Sequence, residues 1–185
     1  MKSHLREFVT WAQTDLMESV GRVTVALERF GVSEASYDAV RDHGGGFGRV
    51  VSARGPRIIV DEVGIGSGAL DRLRERGFRV SGFNGGRSPT SGTPERQFAN
   101  RRAESYWHLR RLLEEGRIAL PRDEKLFDEL AATRWKVNST GKVQIEPKDD
   151  LRARIGRSPD RADAAAMAFA DCTPRAVTGR EGVRW

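Results

Sequence analysis

The chain has 185 residues, of which 38% are hydrophobic and 31% are charged, and its net charge is +6. This length suits a single domain with a sizeable core, and no apolar run approaches the roughly 20 residues that a membrane span needs. The one cysteine, Cys172, excludes an internal disulfide, and with only three scattered histidines the chain has no Cys/His zinc cluster, so we expect a cytoplasmic protein.

The basic excess lies in the later part of the chain. Residues 1–50 hold six Lys or Arg against seven Asp or Glu, whereas residues 51–185 hold 26 against 19. This charge favours a polyanionic partner, most simply a nucleic acid. A surface rich in solvated arginine explains the excess equally well, and charge alone does not decide between the two.

The first half of the chain predicts a helix followed by a β–α–β unit. Residues 5–30 have apolar positions at helical spacing, although VTVAL could instead be a short strand, and residues 31–48 are typical of a loop. RIIVD predicts a buried parallel strand that ends at Asp61. GIGSG then predicts a tight turn, ALDRLRERG a helix and FRVSGFN a second strand, which together imply a right-handed parallel crossover.

The second half predicts three helices and a hairpin. Residues 95–115 predict a regular helix, RIALP a short strand, and DEKLFDELAAT a helix that begins near Asp123. RWKVNSTGKVQIEPK is typical of a hairpin. The last helix, DRADAAAMAFA, is expected to have Ser158 as its N-cap and Pro159 at its first position.

Two carboxylate positions are candidates for metal chemistry. Asp61 follows a buried strand, where open α/β sheets present their ligands, and Asp160 and Asp163 share one face of the last helix. Carboxylates so placed can hold Mg²⁺ or Mn²⁺, and two such ions about 4 Å apart can hydrolyse a phosphodiester. Each position also has a simpler explanation, since Asp61 could hydrogen-bond the glycine turn and Asp160 could serve the helix dipole.

Other residues give weaker signals. Three acids could each supply a third ligand but are more simply placed in an ion pair or a helix cap: Asp71, Glu104 and Glu146. Five basic residues could follow a phosphate backbone or form a solvated face: Lys142, Lys148, Arg152, Arg154 and Arg157. Tyr106, Trp107 and Trp135 could stack on bases, although helical spacing favours Tyr106 as a core residue. GIGSG lacks the Lys-Ser/Thr of a phosphate-binding loop.

Three stretches, taken in order, resemble the nuclease domain of phage terminase large subunits. VDEVGIGSGALDRLRERGFRVSGFNGG is similar to the family's second-carboxylate strand and the helix after it. FANRRAESYWHLRRLLEEGRIALPRDEKLFDEL resembles the helix–strand–helix that follows. WKVNSTGKVQIEPKDDLRARIGRSPDRADAAAMAF resembles the closing hairpin and the last acidic helix. Together they span residues 57–170 in the family's order and spacing.

The resemblance implies an α/β, ribonuclease-H-like fold, a single domain in which a central mixed sheet has helices on both faces. It implies an endodeoxyribonuclease that uses two Mg²⁺ or Mn²⁺ ions and cuts concatemeric phage DNA during genome packaging. Asp61 corresponds to the family's second metal-binding carboxylate and Asp163 to its third, with Asp160 a neighbour in the same motif. Double-stranded DNA is then the substrate, held by the five basic residues. Further partners expected in the host cytoplasm are the portal, the small terminase subunit and a separate ATPase domain.

The chain departs from this family on its N-terminal side. We expect residues 1–50 to be a poorly matched segment, residues 51–172 to form the nuclease domain and residues 173–185 to form a loose tail. The family's first carboxylate has no counterpart in residues 1–20, and the ATPase half is missing, which predicts an N-terminally truncated, phage- or prophage-encoded chain. The alternatives are a catalytically defective remnant that binds DNA or the packaging machinery without cutting, and a nuclease of the Holliday-junction resolvase kind.

Overall fold

The computed structural model describes residues 3–5, 7–11, 15–30, 58–63, 66–78, 80–90 and 97–170. The loop predicted at residues 31–48 and the tail predicted at residues 173–185 lie outside these ranges. The chain divides into two compact units, one formed by Met1–Arg6 with Ser88–Trp185 and the other by Glu7–Arg87.

The described ranges contain short strands and helices that alternate along the chain as far as β5. The strands are β1 (Ser3–His4), β2 (Ile58–Asp61), β3 (Val80–Phe83), β4 (Ile118–Ala119), β5 (Trp135–Val137) and β6 (Val143–Ile145). The helices are α1 (Leu16–Arg29), α2 (Gly66–Glu75), α3 (Arg101–Glu114), α4 (Glu124–Ala132), α5 (Lys148–Ile155) and α6 (Asp160–Phe169). No helix of the described ranges is long and apolar enough to span a membrane.

The unit Glu7–Arg87 contains the predicted β–α–β unit. Strands β2 and β3 are parallel, with Ile58 opposite Val80 and Asp61 opposite Phe83. Helix α2 connects them, and α1 packs against α2. The buried core of this unit is formed by Val20, Ile58, Leu73 and Phe78. These side chains remove apolar area from water, which is the main source of stability for so short a sheet.

Helix α1 begins later than its sequence pattern predicts. Asp15 is its N-cap, and the Asp15 carboxylate accepts a hydrogen bond of 2.7 Å from the backbone N–H of Glu18. Residues 7–11 are not helical, so the predicted start near residue 5 is wrong. The alternative of a strand at VTVAL is also wrong, because these residues lie inside α1 and Val20, one turn earlier, faces the core.

The unit that contains residues 88–185 is built around α3 and α6. Ala162, Ala165 and Ala166 of α6 are fully buried, and such small side chains allow the α3 and α6 backbones to approach closely. The predicted hairpin is confirmed, because β5 and β6 are antiparallel. A parallel pair, β1 with β4, completes the strands of this unit. The described sheets therefore contain both parallel and antiparallel pairs.

Three local predictions in this unit need correction. Helix α3 begins at Arg101 rather than near residue 95, because Asn100 caps it by accepting a hydrogen bond of 2.9 Å from Ala103 N–H. Three of the five basic candidates, Lys148, Arg152 and Arg154, lie on a helix, α5, which was not predicted. Ser158 is not the N-cap of α6, since Pro159 occupies that position and the Ser158 hydroxyl bonds to Asp160 instead.

Candidate metal centre

The first turn of α6 carries two of the candidate ligands. Asp160 is the first residue of the helix and Asp163 follows three positions later, so both side chains project from the same face, as predicted. The Asp160 side chain is 70% exposed, whereas that of Asp163 is 18% exposed. The two carboxylates thus differ in their access to water although they share one helical turn.

Two side chains of α3 donate hydrogen bonds to Asp163. The Tyr106 hydroxyl lies 2.7 Å from Asp163 Oδ1, and Arg102 Nε lies 3.2 Å from the same oxygen. Arg102 also donates through Nη1 to the Glu146 carbonyl at 2.8 Å, and its guanidinium lies over the Tyr106 ring. These contacts compensate for the burial of the carboxylate and orient it.

Lys148 connects the two carboxylates. Its Nζ lies 3.2 Å from Asp160 Oδ1 and 3.2 Å from Asp163 Oδ2. Partial burial acts to lower the pKa of Lys148, but the charge of Asp163 and the hydrogen bonds to both acids outweigh it, so that pKa is raised. Asp160 shows the converse: burial acts to raise its pKa, while hydrogen bonds from Ser158 and Lys148 lower it overall.

The positions of Asp160, Asp163 and Lys148 indicate how a divalent cation could bind at this site. The ammonium group of Lys148 is a cation that contacts oxygens of both acids, so Asp160 and Asp163 already converge on one positively charged point. Carboxylate oxygens are also the hard ligands that Mg²⁺ and Mn²⁺ prefer. The donor type therefore fits a hard divalent ion, which would take the place of the Lys148 ammonium between the two acids.

Tyr106 keeps its proton next to Asp163. Burial and the negative charge of Asp163 raise the pKa of the Tyr106 phenol far above its usual range, although the Arg102 charge acts in the opposite direction. The phenol is therefore a permanent hydrogen-bond donor to the carboxylate. The sequence indicated Tyr106 as a core residue, which its 7% exposure confirms, but not its contact with Asp163.

Asp61 lies in the other compact unit, Glu7–Arg87. It is the last residue of β2, as predicted, and its side chain is exposed. Asp61 Oδ1 accepts a hydrogen bond of 3.1 Å from Val63 N–H, which is the turn contact that the sequence offered as the simpler explanation. Among the described residues, no group of three or more His, Cys, Asp or Glu side chains is gathered as a metal site.

The three weaker acidic candidates have other partners. Asp71 lies 3.7 Å from Arg74 on α2, and Glu146 Oε1 lies 2.6 Å from Arg154 Nη2. Glu104 accepts hydrogen bonds from the backbone and the hydroxyl of Thr90. The ion pairs of Asp71 and Glu146 agree with the simpler explanation that their sequence positions suggested, whereas Glu104 is a buried acceptor for Thr90, which was not predicted.

The five basic candidates do not form one free surface. Lys148 contacts the two acids of α6, and Arg157 lies 3.4 Å from both Asp128 and Glu129. Arg154 contacts Glu146 and also the Ala132 carbonyl. Within the described part of the chain, no ion pair involves Lys142 or Arg152, so these two of the five candidates have no acid competing with a phosphate.

Comparison with known proteins identifies the fold. No protein-family model matches the chain, and no curated protein is detectably similar to it in sequence. Solved structures do match. A variant nuclease domain of the large terminase subunit of bacterial virus Sf6, with manganese and beta-thujaplicinol, superimposes with a TM-score of 0.65 at 20% identity, covering 93% of this chain and 79% of that one.

Two further structures give the same result. The nuclease domain of the Sf6 large terminase subunit without that substitution has a TM-score of 0.59 at 22% identity, covering 87% of this chain and 74% of that one. The large terminase nuclease of thermophilic phage G20c, with cobalt, has a TM-score of 0.50 at 16% identity, covering 85% and 63% respectively. The chain therefore has the α/β, ribonuclease-H-like fold of the nuclease domains of phage large terminase subunits, as its sequence predicted.

Proposed function

We propose that this chain is the metal-dependent DNA endonuclease domain of a phage terminase large subunit, cutting concatemeric DNA during genome packaging. The observation that carries the proposal is that Asp160 and Asp163 both contact the ammonium group of Lys148, in a chain with the terminase nuclease fold. Two of the similar structures contain manganese or cobalt, as a nuclease site of this kind requires. In this proposal residues 51–172 belong to the nuclease domain.

In this proposal Asp61 and Asp163 are the catalytic carboxylates, and Asp160 assists them in holding Mg²⁺ or Mn²⁺. Two such ions would supply an activated water and would stabilise the leaving oxygen of the phosphodiester. Tyr106 and Arg102 orient Asp163 for this task. Lys148 keeps the two acids of α6 together when no metal is present, because its ammonium group offsets their mutual repulsion.

The substrate in this proposal is double-stranded DNA in the host cytoplasm. Lys142 and Arg152 would contact the phosphate backbone, with Lys148, Arg154 and Arg157 adding positive charge near it. The portal, the small terminase subunit and an ATPase domain are the proposed further partners. A catalytically defective remnant would keep the DNA contacts and lose cleavage, so a cleavage assay separates the two functions.

The test is nicking of supercoiled plasmid by the purified chain with Mn²⁺, Mg²⁺ or EDTA. We expect metal-dependent nicking that falls at least about 100-fold in Asp163→Asn and in Asp61→Asn, because each loses a charged metal ligand. Asp71→Asn is the matched control, since Asp71 is an exposed carboxylate paired with Arg74.

Each outcome of the nicking assay assigns a function. Undiminished cutting by Asp61→Asn or by Asp163→Asn would show that the carboxylate is not a metal ligand. A folded wild-type chain that retains plasmid in a gel-shift assay but nicks none of it would identify the defective remnant.

A further inference from the structure

The start of α6, which carries Asp160 and Asp163, is not capped by its own residues. The first N–H groups of a helix have no partner within the helix and normally bond to a side chain at the N-cap. Here the N-cap is Pro159, which makes no side-chain cap hydrogen bond. The Ser158 hydroxyl, which the sequence suggested for this role, contacts Asp160 at 2.6 Å instead.

A buried carboxylate of α4 provides the missing acceptor. Glu129 is 3% exposed, and its Oε2 accepts hydrogen bonds of 2.9 Å from Arg161 N–H and 3.0 Å from Ala162 N–H. Its second oxygen, Oε1, lies 3.4 Å from Arg157 Nε. Both oxygens of a nearly inaccessible acid are thus engaged at the N-terminus of α6.

A cap supplied by Glu129 restrains α6 differently from a cap supplied by the N-cap residue of α6 itself. A Ser or Asp at the N-cap would satisfy the amides of α6 but would leave the helix free to move with its own loop. Glu129 belongs to α4, so its two hydrogen bonds hold the first turn of α6 against another helix. Asp123, the N-cap of α4, adds an ion pair to the Arg161 side chain. Helix α4 therefore takes part in fixing the position of this turn.

The charge of Glu129 also bears on a metal ion. The positive end of the α6 dipole would stabilise the nearby carboxylates and oppose the approach of a cation. A third negative charge at that end offsets the dipole and makes the potential around Asp160 and Asp163 more favourable for a divalent ion. Residues behind metal ligands commonly act in this way, by orienting the ligands and adjusting their charge.

We propose that Glu129 is a positioning residue for the metal site: from α4 it caps α6 and so fixes the turn that presents Asp160 and Asp163 to the divalent ion. This inference rests on the proposed function, because it needs a metal site at α6. Glu129 itself does not touch the ion or the DNA. Neither the acidic motif nor its spacing in the sequence points to Glu129, which lies 31 to 34 positions from the two acids.

The test measures Mn²⁺ binding without DNA, from the electron paramagnetic resonance signal of free Mn²⁺. Glu129→Gln keeps an acceptor oxygen and removes the charge, and we expect it to raise the Kd for Mn²⁺ about tenfold. Asp128→Asn removes an exposed charge from the adjacent position of α4 and should change that Kd less than about twofold. Hydrogen exchange of the segment that contains Arg161 and Ala162 should be faster in Glu129→Gln only.

Glu129→Asp keeps the charge but shortens the side chain by one methylene, so it covers the case in which Glu129→Gln does not fold. We expect folded Glu129→Asp to bind Mn²⁺ more weakly than wild type, because its carboxylate no longer reaches both amides.

The measurements distinguish failure of this inference from failure of the proposed function. If wild type binds no Mn²⁺ and cuts no DNA, the proposed function and this inference are both overturned. If wild type binds Mn²⁺ and a folded Glu129 variant binds it equally well despite faster exchange at α6, the inference alone is overturned and Glu129 is a structural cap.

Discussion

Asp163 is held by side chains that come from two different helices. Tyr106 and Arg102 lie one turn apart on α3 and donate to the same carboxylate oxygen, while Lys148 from the start of α5 contacts the other oxygen. A carboxylate with this many donors has little freedom to rotate. Its orientation is therefore fixed by this chain's own side chains, which in the proposed function would reduce the entropy cost of binding the ion.

His108 is a second buried titratable residue of α3, away from the acids of α6. Burial lowers the pKa of His108, and the charges of Arg111 and Arg117 lower it further. Its Nε2 is buried and has no hydrogen-bond partner among the described residues. The folded protein therefore holds His108 as a neutral imidazole, which has a consequence for stability at acid pH.

We predict that His108 makes the protein less stable as the pH falls below 6.5, its ordinary pKa. The unfolded chain takes up a proton in that range and the folded chain does not, so stability present above pH 6.5 is lost on acidification, by at most about 1.4 kcal/mol per pH unit. Urea unfolding of wild type and His108→Phe, about one pH unit above and below this value, measures the difference. Equal losses in the two proteins would show that His108 is protonated in the folded state.

At the scale of secondary structure, two glycines have opposite roles. Gly21 lies inside α1, where an added Cβ would meet no atom within 4 Å. Gly116 follows α3 with φ of +62°, and the N–H groups of Gly116 and Arg117 bond back to Leu113 and Leu112 at 3.0 and 2.9 Å. The first glycine only weakens a helix, whereas the second forms a left-handed C-terminal turn.

We therefore expect alanine to have opposite effects at these positions. Gly21→Ala should raise the free energy of unfolding by about 0.5–1 kcal/mol, because alanine restricts the unfolded chain and favours helix. Gly116→Ala should lower it by about 1–2 kcal/mol, because an L side chain is strained at positive φ. Urea titrations followed by circular dichroism give both values. A shift of the same sign in both variants would contradict the conformations described for α1 and α3.

For the molecule as a whole, the net charge does not show which individual cations are free to meet a phosphate. The overall charge is +6, yet the described arginines and lysines are largely paired with acids of the same chain. Such pairs neutralise charge locally, so a phosphate backbone interacts mainly with the unpaired cations. Lys142 and Arg152 are the two candidates for which the described residues include no ion pair.

Among the five basic candidates, we predict that these two cations matter most for DNA affinity. Lys142→Ala and Arg152→Ala should each weaken DNA binding and reduce the slope of log K against log salt by roughly one. Arg154→Ala should change that slope less, because Arg154 already contacts Glu146 and the Ala132 carbonyl. Binding isotherms with a DNA duplex at several salt concentrations provide the slopes. An equal effect of all three variants would mean that DNA displaces Glu146 from Arg154.

Apart from α5, the helices, the hairpin and the positions of the acids followed from the sequence, because they depend on neighbouring residues. A β-branched run ending at Asp61 and the three-residue spacing of Asp160 and Asp163 predict where those side chains lie on a strand and on a helix. The resemblance of residues 57–170 to terminase nuclease domains predicted the fold that the solved structures confirm. These features depend on the residue pattern within one helix or strand, or on the order of helices and strands along the chain.

The environment of the acids was decided only by tertiary packing. Arg102 lies 61 residues before Asp163 and Tyr106 lies 57 before it, and no local pattern relates them. The predicted cap of α6 by Ser158 was wrong for the same reason, because Glu129 reaches the helix from α4 and satisfies amides that the local sequence leaves open. Local periodicity determines which face a side chain occupies, whereas its partners depend on how helices distant in sequence pack together.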